Sequence, residues 1–200
     1  MTSKFLFVGN HPCLDFINTQ VMQAGRPVDL LERPSDLLAW LEEARLMDRA
    51  SSAGSPTARA EDQSGDRLLD RVKAFRAVLR EMVERIVSGR PAPASAVEAI
   101  NRLLTGRTGH FQLVRTGRRY DLQFRTAADR ATGVLGVLAE AAADLLSRAD
   151  LSLVKKCQNP ACILYFYDTT KNHARHWCSM RLCGNRMKVA AYYRRMHSTR

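Results

Sequence analysis

Cys157-Gln158-Asn159-Pro160-Ala161-Cys162 and Cys178-Ser179-Met180-Arg181-Leu182-Cys183, the second followed at once by Gly184-Asn185-Arg186, decide how the end of this chain folds. Four residues separate the cysteines within each pair, and fifteen separate the pairs. Each pair can wrap one side of a small ion while the loop brings the two sides together. That is what a tetrahedral four-thiolate zinc site requires. Two disulfides would use the same cysteines, but nothing places the chain in an oxidising compartment. Ordinary buried thiols would have no reason to repeat a spacing.

Cys157, Cys162, Cys178 and Cys183 are therefore the expected ligands of one zinc ion. His173 and His176 lie between the pairs and could substitute, although a solvated, weakly basic loop accounts for them better. Four protein ligands leave no position for water or substrate, so the zinc is expected to be structural. A module this small cannot bury enough surface to fold alone. Zinc contributes ~10–16 kcal/mol to such modules, so metal and fold should be lost together.

The stretch from Cys157 to Arg195 resembles the CGNR zinc finger, named for the run that is here Cys183-Gly184-Asn185-Arg186. The likeness includes Phe166-Tyr167-Asp168-Thr169 after the first pair and Trp177-Cys178-Ser179-Met180 at the second, and continues to Lys188 and Tyr192. In that family the finger follows an N-terminal domain called ABATE. Leu14-Asp15-Phe16-Ile17-Asn18-Thr19 is similar to that domain's opening motif. The resemblance implies a regulator of stress-induced transcription, with a sensing or regulatory N-terminal domain and a finger that contacts DNA.

Charge points the same way. Residues 151–200 hold ten Lys/Arg against Asp168 alone, a net charge of +9, whereas residues 1–150 hold 21 Lys/Arg against 19 Asp/Glu. Basicity confined to one module predicts a polyanionic partner. The candidate contacts are Lys171, Arg175 and Arg181 on the loops, with Arg186, Lys188, Arg194 and Arg195 on the helix expected from about Cys183 to Met196. At 100° per residue Lys188 and Arg195 share a face and Arg186 lies nearly opposite, so one groove is not expected to take all three. Arg186 either contacts nucleic acid or braces the finger, with Asp168 as its partner. Trp177, beside a ligand, is expected to plug the finger's core.

The remainder predicts an α+β chain: a mostly helical domain over residues 1–150 with a few short strands, then a treble-clef-like finger over 151–200. Phe5 to Val8 read as a strand and Leu14 to Thr19 as a helical segment. Asp15 and Asn18, three apart, share a helical face. They either point into a small-molecule pocket, as ligand-binding residues of a sensor, or cap neighbouring backbone. We favour the second. Cys13 has no partner of matching spacing and reads as a lone thiol. Pro34-Ser35 opens a helix with Leu37, Leu38, Trp40, Leu41 and Leu46 as its stripe.

Arg49 to Gly65 lose periodicity and read as a flexible surface loop. A long helix spans Leu68 to Ile86, with Arg71, Arg76, Arg80 and Arg85 balanced by Asp70, Glu81 and Glu84 on a solvated face. Another helix runs from Pro93 to about Leu104. Phe111 to Arg115 and Tyr120 to Arg125 alternate around Thr116-Gly117 as a β-hairpin. The last helix of the domain runs from about Ala127 to Arg148. Leu153 to Lys156 and Ile163 to Tyr167 should be strands flanking the first cysteine pair.

No apolar stretch reaches the roughly 20 residues of a membrane span, and no export signal is recognised, so a reducing cytoplasmic setting is expected. The chain has no glycine-rich phosphate loop, no nucleophile motif and no further ligand cluster, which argues against an enzyme. The alternatives to DNA binding are an RNA-binding module or a protein-interaction finger attached to a possibly enzymatic domain. A single finger offers little contact area, which makes a homodimer plausible on general grounds, although no residue in the sequence points to one.

Overall fold

The computed structural model describes residues 3–47, 63–126 and 130–198. Its centre is a helix of six residues, α1 (Pro12–Ile17), in which Cys13 through Ile17 are all buried. Pro12 starts it, and His11 caps it by accepting from the Cys13 N–H through Nδ1. The other elements gather round it: α2 (Pro34–Glu43), α3 (Gln63–Val87), α4 (Ala94–Thr105) and α5 (Arg130–Arg148). Helices α3 and α5 both contact α1 and each other, and Val72, Leu79, Met82 and Val83 share one buried cluster with Val134, Leu138, Ala142 and Leu145.

Among the described residues are three two-stranded antiparallel sheets: β1 (Gln20–Gln23) with β2 (Arg26–Asp29), β3 (Gly109–Thr116) with β4 (Arg119–Thr126), and β5 (Val154–Lys156) with β6 (Tyr165–Tyr167). The mostly helical α+β class stands as expected. Inside it, Phe5 to Val8 are not a strand, and the first strands are instead β1 and β2. Their turn puts Ala24 at φ 48° and Gly25 at φ 78°. Alanine is an unusual occupant of that left-handed region, so the sequence carried only half of the customary hairpin signal.

The β3–β4 hairpin forms where alternation placed it, turning at Gly117 with φ 65°. Its apolar face, with Phe111, Leu113, Tyr120 and Leu122, stands 64–67% exposed. The expected loop from Arg49 to Gly65 lies outside the described residues except for Gln63 to Gly65, which already belong to α3. Residues 127–129 of the expected last helix likewise lie outside them.

The long helix corrects one expectation. Arg76 is 2% exposed, and its guanidinium donates to Thr19 Oγ1 (2.7 Å) and Asp29 Oδ1 (2.9 Å) and also pairs with Asp29 Oδ2. Arg80 donates to the carbonyls of Ile17 (3.0 Å) and Ile163 (2.7 Å). The Tyr165 hydroxyl donates to Glu84 (3.1 Å). Arg76 falls four residues after Val72 and three before Leu79, in the middle of the buried stripe. It has no route to the solvated face.

The C-terminal segment closes the same core. One contiguous apolar cluster takes in Val154, Leu164, Tyr165 and Phe166 together with Leu14, Ile17, Leu79 and Leu145. Sheet β5–β6 lies against α1 and α3. Tyr167 N–H donates to the Gly9 carbonyl at 2.7 Å, along the extended segment that precedes α1. No helix among the described residues is long and apolar enough to cross a membrane.

Candidate metal centre and nucleic-acid face

Cys157 follows β5, Cys162 precedes β6, Cys178 ends a long loop, and Cys183 sits in a π-type turn (Met180–Gly184) that leads into the terminal helix α6 (Asn185–Ser198). Ser179 caps that turn through the Leu182 N–H (3.0 Å). The π turn thus carries the ligand expected in the first turn of a helix. All four cysteines are buried, and their Sγ atoms lie within 4.8 Å of one another.

The donor set fits zinc. Zn–S bonds of about 2.3 Å in a tetrahedron give S···S edges of about 3.8 Å; Cys162–Cys178 is 3.9 Å and Cys178–Cys183 is 3.6 Å. The sulfurs are already addressed by N–H groups, from the Cys178 backbone to Cys157 Sγ (3.4 Å) and from Asn159 Nδ2 to Cys183 Sγ (3.2 Å). Such donors stabilise thiolate and orient ligands. Mutual hydrogen bonding holds the Cys157 thiol well below its ordinary range and pushes Cys162 and Cys178 above theirs. A bound dication would take the place of the remaining protons, and the four sulfurs close its coordination shell. One structural zinc therefore suits the site. His173 and His176 are exposed and outside it: His173 Nδ1 lies 3.3 Å from the Asp168 carbonyl, and the His176 ring lies beside Trp177.

Asp168 is fully buried, yet its partner is not Arg186. Its oxygens accept from Lys155 Nζ (2.7 Å), Thr170 Oγ1 (2.6 Å) and the backbone N–H groups of Thr170 and Arg175. Burial alone would raise its pKa; these donors instead hold it far below the usual carboxylate range. Arg186 is exposed on α6. Trp177 is half-buried against the core, as expected of a plug.

Arg175 is a second correction. Its guanidinium stacks on the Phe166 ring at 4.1 Å and donates to the carbonyls of Val8 (2.8 Å), Trp177 (2.9 Å) and Cys178. It faces inward, where the three loop carbonyls converge on its guanidinium. Lys171 remains exposed on its loop, and Arg181, expected on a loop, is exposed on the π turn.

Asp15 and Asn18 also spend their polar atoms on backbone. Asp15 Oδ1 accepts from the Gly9 N–H (2.7 Å); Asn18 accepts from Tyr165 N–H (2.9 Å) and donates to Tyr165 O (2.8 Å). This is the capping role, extended across 147 residues of sequence in the case of Asn18. An open cleft of about 580 Å³ lies elsewhere, between Phe7, Val8 and Asn10 on one side and Ala174 to Met180 on the other.

Arg186, Lys188, Arg194 and Arg195 all lie on α6, whose side chains are exposed from Asn185 to His197 except at Met187 and Ala191. Those two positions lie one turn apart, and the rest of the helix surface faces solvent.

Comparison with protein families returned two matches. The ABATE family, described as "Putative stress-induced transcription regulator", matches residues 10–149. The CGNR zinc finger matches residues 154–196. A search of curated proteins returned no match.

Proposed function

The chain belongs to the ABATE family and ends in a CGNR zinc finger, and from that premise we propose that it is a transcription regulator whose zinc-pinned terminal helix α6 binds duplex DNA. The observation that carries this reading is the outward face of α6 on a segment of net charge +9. Cations neutralise phosphates and release counterions, and a helix of about 10–12 Å diameter matches the major groove.

The geometry also relaxes an objection raised by the helical wheel. Arg186 lies nearly opposite Lys188 and Arg195, but the phosphates of two strands line both walls of a groove. One helix inserted between them uses both flanks. Lys171, on the loop, and Arg181, on the π turn, extend the positive surface. Arg175 is left out, since its guanidinium holds the finger together.

The regulatory half of the reading rests on the cleft beside Val8 and Trp177. A small effector seated there would touch the segment that leads into α1 and the finger at once. Asp15 and Asn18 have no part in it.

The test is binding of the zinc-loaded chain to random duplex DNA across a salt series, beside a chelator-treated sample. Binding should be salt-sensitive and should vanish with the metal. Replacing Arg186 and Lys188 with Ala should each reduce the logarithmic salt slope by roughly 0.9. Absence of binding at low salt, with zinc stoichiometric, would overturn the reading. Preference for structured RNA over duplex would replace it with the RNA-binding alternative.

A further inference from the structure

Helix α6 carries more than charge. Val189, Tyr192, Tyr193 and Met196 are 54–58% exposed, although large apolar and aromatic side chains usually find cover. At 100° per residue they form one strip about 100° wide. Met187 and Ala191, the half-buried positions of the helix, lie on the opposite side. The strip therefore points directly away from the body of the protein. Arg186 borders it on one side, Lys188 and Arg195 on the other.

A second copy of the helix is a poor occupant for this strip. Packing strip to strip would bring the bordering cations of both copies together. No acidic residue lies on α6, and Asp168, the one carboxylate of the segment, is buried on Lys155. The matching surface has an apolar floor between two negative walls. A major groove containing thymine has both, since the thymine C5-methyl projects into it between the phosphate rows. A-form RNA lacks that methyl, and its deep, narrow major groove does not admit a helix.

We propose that Val189, Tyr192, Tyr193 and Met196 are the specificity-determining residues of the finger, reading thymine methyl groups while the bordering cations hold phosphates. This rests on the reading of α6 as a duplex-DNA contact and adds to it what is read.

The experiment selects preferred duplexes from a random pool with the zinc-loaded full chain. It then measures affinity, at fixed salt, for the selected duplex and for the same duplex with deoxyuridine in place of thymidine. The selected site should be thymine-rich. Each contacted methyl removed should weaken binding about three- to fourfold, the worth of one buried methyl-sized group, with the salt slope unchanged. Val189→Gln and Met196→Gln, at exposed positions, should keep zinc and the salt slope but lose the difference between the two duplexes. Equal affinity for both duplexes in the native chain, with salt-dependent binding intact, would overturn this inference and leave the DNA reading standing. No duplex binding at any salt would overturn both. A dimer in sedimentation that Val189→Gln dissociates, without change in DNA selectivity, would assign the strip to a second copy instead.

Discussion

Gly9 shows how much one missing methyl group can matter here. A Cβ at that position would stand 2.9 Å from the Asp15 backbone nitrogen, from Asp15 Oδ1 and from Leu14 Cβ. None of these can retreat, because α1 is buried along its length. Gly9→Ala should therefore destabilise the protein by about 1–3 kcal/mol, the cost of overpacking, read by denaturant unfolding. Gly184, from the run that names the finger, should be more tolerant: its Cβ would mainly meet Met180 Sδ and Cε, the movable end of a half-exposed side chain. Asp15 itself adds a pH dependence. Burial pushes its carboxyl up to about 6, against the opposing pull of the Gly9 and Val8 N–H groups and of Arg175. A raised carboxyl pKa means that its contribution is present below the unfolded value near 3.8 and lost as pH rises through about 6. Asp15→Asn keeps an acceptor for Gly9 and removes the titration. Its stability relative to the native chain should rise with pH, reaching an advantage on the order of 3 kcal/mol by pH 7.5. A gap that does not change between pH 5 and 7.5 would mean that Asp15 is ionised throughout. At this scale the four cysteines were legible because their chemistry is written in spacing. The latch of Asn18 on Tyr165 was not, since its two halves lie at opposite ends of the chain.

Elements were easier to find than their covered faces. Periodicity located α2, α3, α4 and the β3–β4 hairpin, yet it gave the arginines of α3 to solvent and could not say that the hairpin's apolar face stands open. Both follow from one fact: a pattern reports which residues share a face, and only tertiary packing decides what meets it. For Arg76 a stricter reading of the wheel, with Val72 and Leu79 on either side, would have sufficed. Its pairing with Asp29 ties the β1–β2 hairpin to α3. Burial alone would raise the Asp29 pKa, but the Arg76 guanidinium pulls it below its ordinary value. Arg76→Leu should cost about 3 kcal/mol, since truncating one partner strands the other charge. It should also loosen the hairpin, which hydrogen exchange at Val21 and Val28 would report. Protection there equal to that of the native chain would show that the hairpin is held by its apolar contacts.

For the whole molecule, the two matched segments are not two independent bodies. Sequence asymmetry in charge and cysteine content argues for a boundary near residue 150. The core runs straight through that boundary: Phe166 and Leu164 belong to the same cluster as Leu14 and Leu79. Across it Asn18 holds Tyr165, Arg80 holds the Ile163 carbonyl, and Arg175 holds Val8. Charge and metal chemistry are local properties that composition reveals, whereas a shared core is a non-local one. The consequence is cooperative. Zinc binding is worth ~10–16 kcal/mol to modules of this kind, and here that energy is expected to support α1 and α3 as well as the finger. Calorimetry of the zinc-loaded chain should give one transition, and chelation or Cys178→Ser should shift the whole transition to lower temperature. Two transitions, the upper one indifferent to chelator, would show that the helical segment stands without the finger. A single metal-dependent transition would mean that whatever strains α1 or the Gly9 segment is felt at the zinc site, and through it at the helix that faces DNA in the proposed reading.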